Sequence, residues 1–204
     1  MTAPTRHPSE AALADYAMGA LRQAFGVVVA AHLEQCAHCR ATLRGFEALG
    51  GQMLGQLEGS ALSDEALDRV MAGLDRPLPA PPPAAAKPTG ERVAFGKELW
   101  LGPGMGLRKA AIEGGDLLYR LRLPAGLQII PHSHRGKEFT TVLKGAFDDG
   151  SGVLEAGDFA DADGDVDHRP YVTGDGECIC LIASEKPMRV KTLAGKVVHM
   201  LTGL

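Results

Sequence analysis

The sequence predicts an α+β protein with a small helical domain at the N-terminus and a larger all-β domain at the C-terminus. Before residue 77, apolar residues recur every three or four positions, and beyond residue 90 they recur every second position. These are the periods of a helix and of a strand. The intervening segment contains six prolines and has no periodic apolar face, so it is expected to be an extended, semi-rigid linker. The predicted boundaries are 1–76 for the helical domain, 77–90 for the Pro/Ala-rich linker and 91–204 for the β domain.

The first predicted helix has a clear start signal, because Ser9 is a good N-cap and Glu10 follows it in the first turn. Apolar spacing predicts three more helices, over about residues 23–34, 40–49 and 63–76. Four short helices bury little apolar surface, so this domain is expected to need a structural metal and to keep one apolar helix face for a partner. The same apolar residues would also suit a core, and periodicity alone does not separate the two.

A histidine and cysteine cluster lies at the end of the second predicted helix, where His32, Cys36 and Cys39 form the pattern H-x3-C-x2-C. Residues 32 and 36 lie one above the other on a helix face, and residue 39 follows in the next turn. Tetrahedral zinc takes thiolate and imidazole ligands and requires a fourth. The candidates are His7, just before the first helix, and His38, whose side chain should point away from a metal that the two cysteines share. We therefore predict a zinc site formed by His7, His32, Cys36 and Cys39.

Beyond Gly90, short runs of alternating apolar residues recur between turns rich in glycine and aspartate. The clearest runs lie at residues 117–123, 139–143, 171–173, 178–182 and 197–201. Many short strands at regular spacing are typical of a β-sandwich or a β-barrel.

Residues 126–145 match the pattern G-x5-H-x-H-x3-E-x6-G. In an extended strand His132 and His134 point to the same face, and Glu138 returns from the next turn or strand. His168 follows in a second turn rich in glycine and acidic residues, where it would complete a set of three histidines and one glutamate. Such a set binds one divalent metal, and zinc, iron, manganese and nickel are all compatible with it.

Two further cysteines, Cys178 and Cys180, alternate along a predicted strand and share one of its faces. A disulfide between residues two apart on a regular strand would be strained. Two interpretations therefore stay open: they are small buried residues, or they have a redox role coupled to the nearby metal.

The overall charge excludes several classes of partner. The net charge is -4 and the pI is about 6.0, which argues against a general nucleic-acid or anionic-membrane partner and against a DNA-binding zinc module. The apolar run before the zinc cluster is far too short to span a membrane, and we find no signal peptide. The chain is predicted to be cytoplasmic, a compartment in which cysteines stay reduced.

The pattern around His132 resembles the first cupin motif at every fixed position, and Gly157 with His168 keeps the glycine and histidine of the second motif. The second motif departs from the common cupin pattern at Asp163, Asp165 and Val172. The resemblance implies that residues 91–204 form a cupin domain, a double-stranded jelly roll.

Taken together, the two clusters resemble the ChrR family of zinc-binding anti-sigma factors essentially from end to end. The shared features are a histidine ahead of a Ser-capped helix, the H-x3-C-x2-C-R pattern, a Pro-rich linker and a metal cupin, and Cys178 and Cys180 also have counterparts. The resemblance implies a regulator with two zinc ions per chain rather than an enzyme. Its helical domain would inhibit an extracytoplasmic-function sigma factor, and its cupin would release the sigma factor on an oxidative signal, singlet oxygen or organic peroxide.

The alternative is a metal-dependent cupin dioxygenase or isomerase with a helical appendage. It would use the same four cupin ligands. The two hypotheses differ at the first domain, because an enzyme has no need of H-x3-C-x2-C and a Pro-rich linker.

Overall fold

The computed structural model describes residues 3–74, 93–112, 114–133, 136–162 and 169–190. The predicted linker, the metal-ligand candidates His134 and His168, and the strand predicted at 197–201 lie outside these ranges.

Four helices occupy the N-terminal region: α1 is Glu10–Ala17, α2 is Gln23–Gln35, α3 is Ala37–Gly55 and α4 is Ala66–Leu74. The Ser9 hydroxyl accepts a hydrogen bond from the Ala12 backbone N–H at 3.2 Å, which confirms the predicted cap of α1. Helix α3 is longer at both ends than the sequence predicts, and α4 begins three residues after its predicted start.

Eleven strands follow within the described part of the chain. Their bounds are Leu99–Gly102 (β1), Met105–Lys109 (β2), Leu117–Leu123 (β3), His132–Ser133 (β4), Glu138–Lys144 (β5), Ala146–Asp148 (β6), Val153–Glu155 (β7), Phe159–Ala162 (β8), Tyr171–Thr173 (β9), Cys178–Ser184 (β10) and Arg189–Val190 (β11). All described pairings are antiparallel, in a six-stranded sheet of order β1-β2-β3-β10-β5-β8, a three-stranded sheet β7-β6-β9 and a pair β11-β4. The prediction of helices followed by a β-sandwich or barrel is confirmed.

The six-stranded sheet has apolar side chains on both faces. One face joins residues of β6, β7 and β9 in an inner core that includes Val142, Phe147, Leu154 and Val172. The other face packs against the helices in a second core. That core contains Phe25 and Val28 from α2 together with Leu118, Phe139, Phe159, Leu181 and Ala183 from the sheet.

Helix α2 is therefore shared between the helical and β regions. The ring of Phe25 contacts the ring of Phe139 edge to face, with 5.0 Å between centroids, and the Thr141 hydroxyl donates to the Val28 carbonyl at 2.9 Å. At the start of α2, Arg22 pairs with Asp116 at 2.6 Å and also with Glu185. The predicted domain boundaries stay a prediction, but the two regions share one core.

Helix α4 and the second half of α3 carry exposed apolar residues, and α4 has no buried residue. The large exposed side chains are Leu49, Met53 and Leu54 on α3 and Leu67, Val70, Met71 and Leu74 on α4. No helix within the described residues is long and apolar enough to cross a membrane.

Candidate metal centres

The four residues predicted to bind zinc lie together. His7 precedes α1, His32 lies in the last turn of α2, Cys36 separates α2 from α3, and Cys39 lies in the first turn of α3. Each offers one ligand atom, and the four atoms all lie within 4.8 Å of one another. The site thus draws on α2, on α3, on the residue between them and on the segment that precedes α1.

The geometry of this cluster fits a tetrahedral metal with nitrogen and sulfur ligands. The His7 Nδ1 lies 3.4 Å from the sulfur of Cys36 and 3.4 Å from that of Cys39. A tetrahedral zinc ion with ordinary bond lengths would place such a nitrogen and sulfur about 3.6 Å apart. The His32 Nε2 is buried without a hydrogen-bond partner. A metal at the centre of the cluster would give this nitrogen a partner, and an unpaired buried nitrogen is otherwise costly.

Burial keeps two of the ligands, His32 and Cys39, in their neutral forms when no metal is bound. It lowers the pKa of His32 to about 4, so its imidazole is uncharged at neutral pH. Burial and the hydrogen bond with Cys36 raise the pKa of Cys39 to about 12. A bound metal therefore has to displace a thiol proton, whereas His32 is already deprotonated.

The alternative fourth ligand, His38, lies outside this group of ligand atoms. Its side chain is exposed, and its ring lies beside that of His7 with 4.9 Å between centroids. The structure thus places His7, as the sequence favours, in the cluster.

The C-terminal region contributes contacts around this cluster that the sequence does not predict. The Gly157 carbonyl accepts a hydrogen bond from the His32 Nδ1 at 2.7 Å. Asp158 accepts from the backbone N–H groups of Thr5 at 2.6 Å and Arg6 at 3.0 Å through one oxygen, and from that of Glu155 at 2.8 Å through the other. Although burial alone would raise the pKa of Asp158, these N–H donors together hold it below its ordinary value.

Two of the four residues predicted to bind the second metal are described. His132 on β4 is buried, with its Nδ1 2.9 Å from the Ile130 carbonyl oxygen, and Glu138 is buried at the start of β5. Both line an otherwise mostly apolar cavity of about 120 Å³ inside the jelly roll. Burial and the hydrogen bond to Glu138 raise the pKa of Tyr119, which lines the same cavity. His134 and His168 lie outside the described residues, so the complete ligand set stays a prediction.

The pair Cys178 and Cys180 lies on β10, facing the inner core, with 3.6 Å between the sulfur atoms. Both are buried free cysteines. Their mutual hydrogen bond lowers the pKa of Cys178, and the same bond with burial raises that of Cys180. Cys180 lines the cavity that His132 and Glu138 share. Burial suits the first of the two interpretations, and a redox role stays a prediction.

Known proteins resemble the chain over both regions. The family described as ChrR Cupin-like domain matches residues 93–187. The anti-sigma-E factor ChrR of Cereibacter sphaeroides is 39% identical over 205 aligned residues, which cover 95% of each chain. A chain in the crystal structure of Rhodobacter sphaeroides SigE in complex with the anti-sigma ChrR superposes with a TM-score of 0.72 at 38% identity, covering 88% of this chain and 98% of that one.

Proposed function

The chain belongs to the ChrR family of anti-sigma factors, and on this premise we propose that it binds an extracytoplasmic-function sigma factor and keeps it inactive. Family membership makes it a regulator rather than an enzyme. The observation that carries the proposal is the length of the similarity, which includes the helical region as well as the cupin. The similar solved structure is that of an anti-sigma factor with its sigma factor, and we extend that class of partner to this chain.

The exposed apolar faces of α3 and α4 supply a surface for such a partner. On α4, Leu67, Val70, Met71 and Leu74 follow the spacing of a single helix face, and the side chains are 54–71% exposed. Contiguous apolar surface of this kind marks a protein contact, and an amphipathic helix that enters an apolar groove is a common form of it. We propose that this face docks on the sigma factor.

Binding of the sigma factor tests this surface directly. The double variant Leu67→Asp with Met71→Asp should weaken binding by a hundredfold or more, because two desolvated apolar contacts of about 1.4 kcal/mol or more each would be replaced by charges. Leu99→Asp with Trp100→Asp is the matched control, since it puts the same two charges on exposed apolar residues of β1, outside the helices. Titration of the full chain with the sigma factor would measure both. Full binding by the α4 double variant would remove α4 from the contact, and absence of any binding by the wild type would refute the proposal.

We further propose that His7, His32, Cys36 and Cys39 hold zinc, because thiolates select this metal and the cluster has the dimensions of a tetrahedral site. Zinc at this position would hold α2, α3 and the segment that precedes α1 together. We propose a second metal at His132, His134, Glu138 and His168, which is zinc or else iron, manganese or nickel.

The reduced cysteines and the sigma-factor partner are in keeping with a cytoplasmic location.

Elemental analysis of the purified chain tests the metal assignments. Two metals per chain are expected in the wild type, and one in each of Cys36→Ser and His132→Ala, because each substitution removes a ligand from one site only. A metal content near one that Cys36→Ser leaves unchanged would remove the N-terminal site from the proposal.

The C-terminal metal set is proposed to sense the oxidative signal, singlet oxygen or organic peroxide, with Cys178 and Cys180 as redox candidates. A signal shifts an equilibrium only through its different effects on the two states. Substitution of His132, His134, Glu138 or His168 should therefore leave the sigma factor bound but block its release by the oxidant. Sigma-dependent transcription, with and without oxidant, would measure this. Normal induction in the variant that lacks all four ligands would refute sensing through the metal.

A further inference from the structure

The segment that carries His7 is held by the C-terminal region and not by the helices alone. We define the clamp turn as residues 155–159, which connect β7 to β8. Its Asp158 binds the backbone N–H groups of Thr5 and Arg6, and the Phe159 N–H donates to the Arg6 carbonyl at 3.1 Å. Arg6 also reaches Ser151 through its guanidinium. The residue directly before His7 is thus fixed by hydrogen bonds to a part of the chain about 150 positions away.

The same clamp turn orients a second ligand of the cluster. A carbonyl oxygen only accepts, so the hydrogen bond between Gly157 and the His32 Nδ1 places the ring proton on Nδ1. The Nε2 is then left with a free lone pair, and it is this nitrogen that lies unpartnered in the cluster. A backbone carbonyl in this position fixes the tautomer and orientation of a metal-binding histidine.

The backbone of the clamp turn requires glycine at residue 157. Its φ of +97° is one that residues with a Cβ rarely adopt, and a Cβ there would lie 2.7 Å from the Cγ of Pro4. The turn is also tied to β5, since the Gly157 N–H donates to the Val142 carbonyl at 2.8 Å and the Val142 N–H donates to the Asp158 carbonyl at 3.0 Å. Glycine therefore allows the N-terminal segment to lie directly on a turn that the sheet holds in place.

The clamp turn is continuous with the strands around the second predicted metal site. Strand β8 begins at Phe159 and pairs with β5 from Thr141↔Phe159 to Glu138↔Ala162. Glu138, at the far end of this pairing, lines the cavity inside the jelly roll. Three residues of an extended strand span about 10 Å. A displacement of β8 relative to β5 near Glu138 would thus be transmitted along β8 to Gly157 and Asp158, which directly precede this strand.

We propose that the clamp turn is part of the N-terminal metal site, because it positions two of the metal ligands. Zinc affinity at this site and the conformation of the turn therefore depend on each other. Asp158 is a positioning residue for His7, and the Gly157 carbonyl positions His32. By linkage, whatever changes the turn changes zinc affinity, and loss of zinc loosens the turn. This inference rests on the proposed function, which makes the N-terminal cluster a zinc site.

Asp158→Asn in the full chain tests the first half of this coupling. An amide has one accepting atom, so an N–H group of the asparagine would face either Glu155 or the N-terminal segment. Zinc affinity, measured by competition with a chromophoric chelator, should fall by about tenfold or more. The visible spectrum of the cobalt-substituted protein should also change, because the positions of the ligands around the metal change. An unaltered affinity and an unaltered cobalt spectrum would overturn the proposal.

Two controls separate a local effect from a general loosening. Asp148→Asn makes the same change at the end of β6, where Asp148 accepts a solvent-exposed hydrogen bond from the Gly150 N–H. Arg22→Gln weakens the contact between α2 and the sheet at the end remote from His32. Both should keep wild-type zinc affinity. A loss in Arg22→Gln equal to that in Asp158→Asn would attribute the effect to the whole interface and overturn the assignment to the clamp turn.

Amide hydrogen exchange on the unaltered chain tests the reverse direction without any variant that has to fold. Removal of zinc should increase exchange across residues 155–159, since the Phe159 N–H is bonded to the N-terminal segment, while residues 178–184 of β10 stay protected. Repetition on His132→Ala, which lacks a predicted ligand of the second metal, shows which metal causes the change. Equal exchange with and without zinc would overturn the coupling alone. A chain that binds no zinc at Cys36 and Cys39 would overturn both the coupling and the proposed zinc site.

Discussion

Helices α2 and α4 are both rich in apolar residues, yet they have opposite environments. In α2, nine of the thirteen residues are buried, whereas α4 has no buried residue. The apolar residues of α2 surround its axis, which suits a helix enclosed between other helices and a sheet. Those of α4 lie on one face, opposite charged residues such as Asp68 and Arg69. Apolar residues all around a helix thus fit enclosure by its own chain, whereas a single apolar face fits either a core or a partner. It is the exposure of α4 in the structure that shows its face to be free.

The largest expected effect on stability is that of a substitution in the buried helix α2. Phe25→Ala should lower the free energy of unfolding by about 3–5 kcal/mol, because Phe25 is fully enclosed between α2 and the sheet and a cavity would remain. Chemical denaturation followed by circular dichroism would measure it. Since Phe25 contributes to a core that both regions share, helix and sheet signals should shift together. A shift confined to the helical signal would mean that the two regions fold separately.

The matching substitution on the exposed helix should leave stability alone and affect binding. Met71→Ala should change the free energy of unfolding by less than about 0.5 kcal/mol, because the side chain is 54% exposed and contacts no core. Under the proposed function it should weaken binding of the sigma factor by about tenfold or more. Unfolding and binding measured on the same preparation separate the two effects. A large loss of stability without a change in binding would instead assign α4 to the core.

The sequence predicts α4 and α2 to different extents. The amphipathic spacing and the start signals of α4 predict the helix, but they leave open whether its apolar face is free for a partner or packed in a core. The apolar run from Ala24 to Ala31 is equally visible, but it indicates only a buried helix and not what buries it. The sheet that covers α2 comes from residues more than 80 positions away, and periodicity contains no information about such contacts.

The strands show the same limit in another form. Strand β10 is buried at every residue because α2 covers one face of its sheet and the inner core covers the other. Strands β6 and β7 have three residues each, too few for a period of two to stand out. The sequence therefore predicts the all-β class and several strands correctly, including the three-residue β9, but leaves out others such as β6 and β7.

The N-terminal metal site also has a part that the sequence predicts and a part that it does not. The spacing of His32, Cys36 and Cys39 is local, and the structure brings these residues together. It does so around a break between α2 and α3 at Cys36, and not along the single helix face that the spacing suggests. The clamp turn around them could not be predicted, because Asp158 and Gly157 reach the N-terminal segment through long-range contacts. Gly157 is visible in the sequence only as a glycine of the second cupin motif.

Loss of a single hydrogen bond between α2 and the sheet should lower the free energy of unfolding by less than Phe25→Ala does. Thr141→Val removes the hydroxyl that donates to the Val28 carbonyl at 2.9 Å but keeps the shape of the side chain. The free energy of unfolding should fall by about 1 kcal/mol. Thr42→Val is the control, because Thr42 donates to the His38 carbonyl on the exposed side of α3. Equal effects of the two substitutions would mean that the buried hydrogen bond of Thr141 adds no more to stability than the exposed one of Thr42.

The smallest expected effect is at the exposed start of α2, where Arg22 pairs with Asp116 and Glu185. Arg22 is half exposed, so Arg22→Gln should lower the free energy of unfolding by only about 0.2–1 kcal/mol, and by less at high salt.

The pH dependence of stability is a more informative test of this ion pair. Burial raises the pKa of Asp116, whereas Arg22 acts to lower it. A carboxyl whose pKa is raised by folding contributes stability at low pH, and this contribution is lost as the pH rises from the unfolded value of about 3.9 through the folded one. Without Arg22 the pKa of Asp116 should rise further, so Arg22→Gln should lose more stability than the wild type over this pH range. NMR titration of Asp116 would detect the shift, and an unchanged pKa would show that the ion pair is not formed in solution.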